Sequence, residues 1–278
     1  MAPESRIPVA MTIATSDSGG GAGIQADLKA FARCGVHGTS AIVALTAQNT
    51  HEVISVETLP RKFILDQVRA VASDMGVDAV KIGMLFDRPT IEAVEEALAL
   101  VRDAPVVLDP VMVAESGAVL LKPEGRQALI DRIVPRATVV TPNAAEAREL
   151  TGLGEEASPE DLARAVHALG PRVAVVTGGH LDDGADRFFD GEVLEEIEGP
   201  RHADGASHGS GCTHSSALAA RLALGDAPLD AARAARRIAA EAVANGLRGI
   251  GSGAGPVDVL AAALGRPRRK TPPGIIGT

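Results

Sequence analysis

Short apolar runs of strand length alternate with helix-periodic stretches along almost the whole chain. Residues 9–14, 40–45, 79–82, 106–108, 138–140 and 173–176 are dense in Val, Ile, Leu and Ala. Continuous apolar runs of this length predict strands buried on both faces, the habit of parallel sheets. The segments 22–33, 61–73, 89–101, 123–133 and 159–169 between them carry helical periodicity, and several have proline near the first turn. In the first of these, Ile24, Leu28 and Phe31 share a face, while Gln25, Asp27 and Lys29 are expected to point away from it. This is the rhythm of βαβ units, and it predicts an α/β fold with a mostly parallel central sheet covered by helices on both faces.

Near 187–198 the pattern shortens around Asp190-Gly191, a hairpin signal. Two long Ala-rich helices, about 211–224 and 229–246, close the pattern. No linker or repeat divides it, so residues 1–265 read as one domain. The basic, proline-rich tail 266–278 is expected to be a solvated, disordered end.

Composition narrows the partners. A chain of 278 residues with 46% apolar and 23% charged residues can bury a full core, and with no Trp or Tyr that core is aliphatic. The net charge of −9 argues against nucleic acid, which needs a basic face, but leaves a small anion open because backbone dipoles can bind one locally. Two cysteines, Cys34 and Cys212, make no disulfide framework. With no leader pattern at residues 1–10 and no 18-residue apolar run, a cytoplasmic protein without membrane contact is expected.

The strongest chemical signal is G-A-S-H-G-S-G-C-T-H-S-S-A-L-A-A, residues 205–220, a glycine-rich turn entering a helix of small residues. Inward-facing backbone N–H groups and the helix N-terminus make such a turn a seat for an anion, unless it is only a glycine cap before an ordinary helix. A second glycine-rich turn, S-D-S-G-G-G-A-G-I-Q-A-D at 16–27, lies between a strand and a helix. Its G-x-G-x-x-A fits a dinucleotide loop loosely, but the next strand ends in Thr46-Ala47-Gln48-Asn49 without the ribose-binding acid. No G-K-[ST] follows either, which excludes a Walker loop.

Gln48 follows a strand, where its carboxamide can pair with an amino group beside a ring nitrogen or simply cap the loop. Asp109 ends V-V-L-D, and Asn143 and Glu146 open a helix after the next strand. Carboxylates so placed suit Mg²⁺ beside a polyphosphate, although a first-turn acid at 146 also complements the helix dipole. Cys212 lies at a helix N-terminus, which is expected to lower its pKa, with His208 and His214 nearby. A Cys–His hydrolase nucleophile, a metal ligand, a general base and a small core residue all remain open for it.

Taken together and in order, S-D-S-G-G-G-A-G-I-Q-A-D-L-K-A-F, T-A-Q-N-T, V-K-I-G-M-L, L-D-P-V-M-V-A-E-S-G, T-P-N-A-A-E-A, G-G-H, H-G-S-G-C-T-H-S-S-A-L-A-A and G-I-G-S-G-A-G-P-V resemble the hydroxymethylpyrimidine/phosphomethylpyrimidine kinases of thiamine biosynthesis, within the ribokinase-like superfamily. The likeness spans roughly residues 9–260. It implies a three-layer sandwich and ATP-dependent phosphorylation of the hydroxymethyl pyrimidine and its monophosphate. By the same likeness Gln48, Asp27, Met84 and Val111 line the pyrimidine pocket, and Gly209, Ser210, Gly211 and Cys212 form the anion hole, with Cys212 as thiolate base. Asp109 and Glu146 would organise Mg²⁺, and Asn143, Thr177 and Gly179 would meet the nucleotide. Relatives are commonly homodimers, so a homodimer is expected.

Two positions depart from the family pattern: Thr15 stands where glycine is usual, and Thr177 where a lysine often precedes G-G-H. Some vitamin B6 kinases share nearly all these motifs, so a pyridoxine/pyridoxal kinase is the alternative. A non-catalytic pyrimidine sensor would be expected to lose Asp109, Glu146 or the G-S-G-C loop, and all are present.

Overall fold

The computed structural model describes residues 6–114, 117–181, 183–202 and 206–265. The tail 266–278, Gly205 of the second glycine-rich turn, and Glu115 and Ser116 of the L-D-P-V-M-V-A-E-S-G stretch lie outside the described residues.

The elements follow in the order β1 (Val9–Asp17), α1 (Gly23–Arg33), β2 (His37–Gln48), β3 (Val53–Thr58), α2 (Arg61–Asp74), β4 (Ala79–Ile82), α3 (Arg88–Leu98), β5 (Val106–Leu108), α4 (Pro123–Arg132), β6 (Val139–Val140), α5 (Ala144–Thr151), α6 (Pro159–Ala168), β7 (Val173–Val176), β8 (Asp186–Phe189), β9 (Leu194–Ile197), α7 (Ser210–Ala223) and α8 (Pro228–Ala244). A 3-10 turn, Gly178–His180, joins β7 to β8. One sheet holds all nine strands in the order β3-β2-β1-β4-β5-β6-β7-β8-β9. β2, β1, β4, β5, β6 and β7 run parallel. The edges, β3 on β2 and the β8–β9 hairpin on β7, are antiparallel.

The sheet is apolar on both faces because both are covered, and successive side chains divide between two cores. Met11, Ile13, Leu108, Val140 and Val176 pack with Ile64 and Val68 of α2, Ile91 of α3, Leu129 of α4, Ala147 of α5 and Leu162 of α6. Ala10, Val107, Val139 and Val175 pack instead with Phe31 of α1, Leu218 of α7 and Ala232 and Ile238 of α8. The result is the expected three-layer arrangement. Alanine at Ala217, Ala219, Ala220, Ala231, Ala232 and Ala235 lets α7 and α8 pack closely over the sheet.

Two local readings change. β3 was not anticipated: it is a half-exposed edge strand whose Ile54 faces solvent. Asp27 does not point away from the apolar face of α1. It lies at the i+3 position of the same stripe as Ile24 and Phe31 and is fully buried.

Candidate active site

The site residues expected from the sequence, apart from Asp27 on α1, Glu146 on α5 and those at the start of α7, lie at the carboxyl end of a parallel strand or on the loop or turn just beyond it. Gln48 ends β2, Met84 follows β4, Asp109 and Val111 follow β5, Asn143 follows β6, and Thr177 and Gly179 follow β7. Open α/β sheets bind ligands along this edge.

The two glycine-rich turns meet there, but they are filled differently. Asp17, the last residue of β1, turns its carboxylate into the first. Its oxygens accept N–H groups from Gly19 at 2.7 Å, Gly21 at 3.0 Å and Ala22 at 2.8 Å. His208 Nε2 approaches the same carboxylate at 3.2 Å. Burial opposes ionisation of Asp17, yet these bonds outweigh it and hold the pKa below the usual value. The amides that a dinucleotide would need are therefore already bound, and the G-x-G-x-x-A stretch is not a phosphate loop.

The second turn has no such guest. Gly209, at φ +85°, is the N-cap of α7, and no side chain caps that helix or places an acid in its first turn. A Cβ at Gly209 would collide with the carbonyl oxygen of Gly21, so the two turns touch through bare backbone. A Cβ at Gly211 would meet nothing within 4 Å. In the first turn of α7 the Ser210 N–H is already bonded to Ser207 O at 2.9 Å, which leaves the backbone N–H groups of exposed Gly211 and half-buried Cys212 as the open donors.

Under Cys212 lies a buried charge cluster. Lys81, on β4, occupies a position that strand alternation assigns to the α1/α7 face, and it is wholly enclosed. Its Nζ is 2.9 Å from Asp27 Oδ1 and 4.0 Å from Asp109 Oδ2. Asp27 also accepts 2.6 Å bonds from the hydroxyls of Thr12 and Ser216. Asp27 is accordingly enclosed as the partner of Lys81 rather than standing on an open wall. Burial works against the Lys81 ammonium, but Asp27, Cys212 and Asp109 more than offset it and raise its pKa.

The same cluster decides the state of the thiol. Burial pushes Cys212 up to about 12, the charges of Asp109 and Asp27 push the same way, and Lys81 and the Gly23 N–H only partly counter them. The helix N-terminus does not produce a resting thiolate, contrary to the expectation from position alone.

Asp109 is buried and bonded by Ser215 Oγ at 3.0 Å, and burial raises its pKa despite Lys81. Glu146 accepts the Asn143 N–H at 2.9 Å, and the Asn143 side chain accepts the Glu146 N–H at 2.9 Å, a capping box that sets α5. Burial and the nearby Asp109 charge lift Glu146 to about 8. Two carboxylates that resist ionising together are a donor set a divalent cation would relieve. Among the described residues no group of three or more His, Cys, Asp or Glu gathers as a metal cage. A two-carboxylate set suits Mg²⁺, which keeps waters and phosphate oxygens as its other ligands.

On the expected nucleotide side, Thr177 pairs with Asn143, and its N–H donates to Pro142 O at 2.8 Å. Gly178 is buried and Gly179 exposed. On the expected pyrimidine side, Thr46 Oγ1 donates to Gln48 Oε1 at 3.1 Å and so orients the carboxamide. Thr15 Oγ1 donates to Met84 O at 3.1 Å, tying the end of β1 to the wall that carries Met84. Lys81, Asp17 and Ser215 were not singled out from sequence. Their signals were a lone lysine inside an apolar strand and an aspartate before a glycine run.

A concavity of about 470 Å³ lies away from these residues, among α2, α3 and Arg132 and Arg136 beyond. Arg61, Arg132 and Arg136 are paired there with Glu92, Glu95 and Glu96, Arg102 donates to Ala99 O, and none of the lining residues belongs to the site.

The family model for phosphomethylpyrimidine kinase matches residues 17–258. A hydroxymethylpyrimidine/phosphomethylpyrimidine kinase of Rhizobium meliloti is 46% identical over 256 residues, covering 90% of this chain and 96% of its own. One from Streptomyces coelicolor is 44% identical over 254 residues, covering 90% and 94%. Among solved structures, an ADP complex of Bacillus subtilis pyridoxal kinase superposes with a TM-score of 0.85 at 35% identity, over 93% of this chain and 100% of that one. A phosphomethylpyrimidine kinase from Clostridium difficile gives 0.73 at 39% identity, over 83% and 96%. With the glycine-cradled start of α7, the paired carboxylates and these relatives in agreement, the chain belongs to the phosphomethylpyrimidine kinase family.

Proposed function

We propose that this enzyme transfers the γ-phosphoryl group of ATP to the hydroxymethyl oxygen of 4-amino-5-hydroxymethyl-2-methylpyrimidine, and a second one to the phosphate of the resulting monophosphate, in thiamine biosynthesis. The observation that carries the reading is the uncapped first turn of α7 with Cys212 in it, at a sheet whose strand order sets β2, ending in Gln48, to one side and the β5 and β6 loops, leading to Asp109 and Glu146, to the other. The Gln48 carboxamide orients the aminopyrimidine, with Met84 and Val111 as apolar walls. Asn143, Thr177 and Gly179 border the nucleotide. The N–H groups of Gly211 and Cys212, in the turn opened by Gly209, receive the transferring phosphoryl oxygens.

Asp109 and Glu146 would hold Mg²⁺, which when bound supplies positive charge to the phosphoryl oxygens and offsets the carboxylate charge pressing on the thiol. Cys212 starts as a thiol, so it would first release its proton to solvent as the positive charge of bound Mg²⁺ lowers its pKa, and the thiolate so formed would then accept the hydroxymethyl proton. A loose phosphoryl-transfer transition state asks for the proton late, which a weakly populated thiolate can satisfy. Lys81 stays cationic beneath the thiol and favours that thiolate.

The similarity to pyridoxal kinase structures favours one competing reading, a vitamin B6 kinase. ATP consumption with the hydroxymethyl pyrimidine, its monophosphate and pyridoxal offered side by side separates them. Turnover of both pyrimidines is expected. Turnover of pyridoxal alone would replace the thiamine assignment with the B6 one.

A further inference from the structure

The proton and phosphoryl chemistry leaves one buried titratable pair unused. His214 lies in α7, just behind the first turn that forms the anion seat, and its Nε2 is 3.0 Å from Asp186 Oδ2. Both side chains are buried. Asp186 opens β8, and its other oxygen accepts the Gly178 N–H at 2.8 Å. Gly178 in turn begins the 3-10 turn that carries Gly179. A Cβ at Gly178 would collide with the backbone of Ala185, so the turn lies directly on the residue preceding Asp186. From the third side, Arg236 of α8 brings Nε to 3.7 Å of Asp186 Oδ1 and donates to Gly184 O.

The chain of contacts is therefore continuous: imidazole on the phosphate-binding helix, carboxylate on β8, amide of the turn after β7. Beyond it, Thr177 is held to Pro142 and Asn143, and Asn143 to Glu146. His214 Nδ1 is buried without a hydrogen-bond partner, so the polar contact of this ring is the bond to Asp186. Leucine would fill the same space but leave the buried Asp186 Oδ2 without this bond, so it is the contact with Asp186, not packing, that calls for histidine here.

We propose that Asp186 and His214 are positioning residues that lock the Gly178–Gly179 turn to the phosphate-binding helix, so that nucleotide affinity depends on the pair and pyrimidine affinity does not. The proposal rests on Thr177 and Gly179 bordering the nucleotide, and its test keeps the two apart.

Calorimetric titration with ADP and Mg²⁺ would compare wild type with His214→Leu, His214→Gln and Asp186→Asn. A glutamine Nε2 reaches the place of the imidazole Nε2 and keeps a donor for Asp186. His214→Leu and Asp186→Asn should weaken ADP binding by at least ~10-fold, the size of one lost bond to a charged group, while His214→Gln stays within ~3-fold. The KM for the pyrimidine should move less than ~2-fold, a split that a general loss of stability would not give.

In the ligand-free protein, amide exchange at Gly178 should quicken in His214→Leu and not in His214→Gln. A folded His214→Leu that binds ADP like wild type would overturn the proposal, as would an equal loss in His214→Gln. If His214→Leu does not fold, Asp186→Asn is decided by the same titration. A wild type that binds no ADP would sink the nucleotide reading itself, and the exchange rates would then decide the pair alone.

Discussion

The two glycine-rich turns look alike in sequence and touch in space, yet one is closed and the other open. In the first, Asp17 supplies an internal anion to three backbone amides. In the second, α7 begins at Gly209 with no capping side chain and no acid in its first turn. The lesson is that glycine and a helix start only create donors. Whether those donors serve a ligand depends on whether the protein has already spent them on itself. Here the closed turn braces the open one through the His208–Asp17 contact and the Gly21–Gly209 backbone approach.

The largest expected effect comes from closing the open turn. Gly209→Ala puts a side chain on a left-handed backbone and against the Gly21 carbonyl, so kcat/KM should fall by ~10³-fold or more. Steady-state kinetics on a variant that still melts cooperatively would check this, and near-normal kcat/KM would mean that the open turn is not the phosphoryl seat.

Next in size is Cys212→Ala, with an expected loss of at least ~10²-fold in kcat. The sign of the pH effect follows from the thiol. Its pKa near 12 leaves it protonated in the ligand-free protein, so thiolate absorbance should be missing at pH 8 and grow only in strong alkali. A general base must be unprotonated, so the wild-type rate should rise with pH through the neutral range while that of Cys212→Ala stays flat. A thiolate signal at pH 7 would contradict the buried-charge account.

A smaller effect is expected from opening the closed turn. Asp17→Asn keeps one acceptor but removes the charge, and should cost about 2–4 kcal/mol of stability, the scale of two charge-assisted bonds. The depressed pKa of Asp17 stabilises the fold above the unfolded value, and that contribution is lost as pH falls below about 4. The gap in denaturant melts between wild type and Asp17→Asn should be widest at pH 7 and narrow as the pH is lowered toward 3. An equal gap at both pH values would remove the carboxylate from the bracing role.

The fold was legible because strands buried on both faces leave nearly uninterrupted apolar runs; Ala79–Ile82, Val106–Leu108 and Val173–Val176 match to the residue. β3 was not, since an edge strand half in solvent needs no apolar run. Lys81 escaped notice because its meaning comes from Asp27, 54 positions away, and from Asp109 on a third segment. Asp27 was misjudged although it sat in the Ile24–Phe31 stripe, since a lone acid in an apolar face reads as a break rather than as half of a buried pair. The state of Cys212 was equally hidden: the helix start was visible in sequence, whereas the burial and the two carboxylates that overrule it exist only in the folded chain.

The most direct test of the open and closed turns is to follow backbone amide shifts while adding Mg²⁺, a non-hydrolysable ATP analogue and the hydroxymethyl pyrimidine. Large shifts at Gly211 and Cys212, with Gly19, Gly21 and Ala22 nearly unmoved, are the predicted result. Large shifts at Gly19–Ala22 with a silent α7 would show the phosphate seated in the turn that Asp17 is said to fill, and would contradict the account.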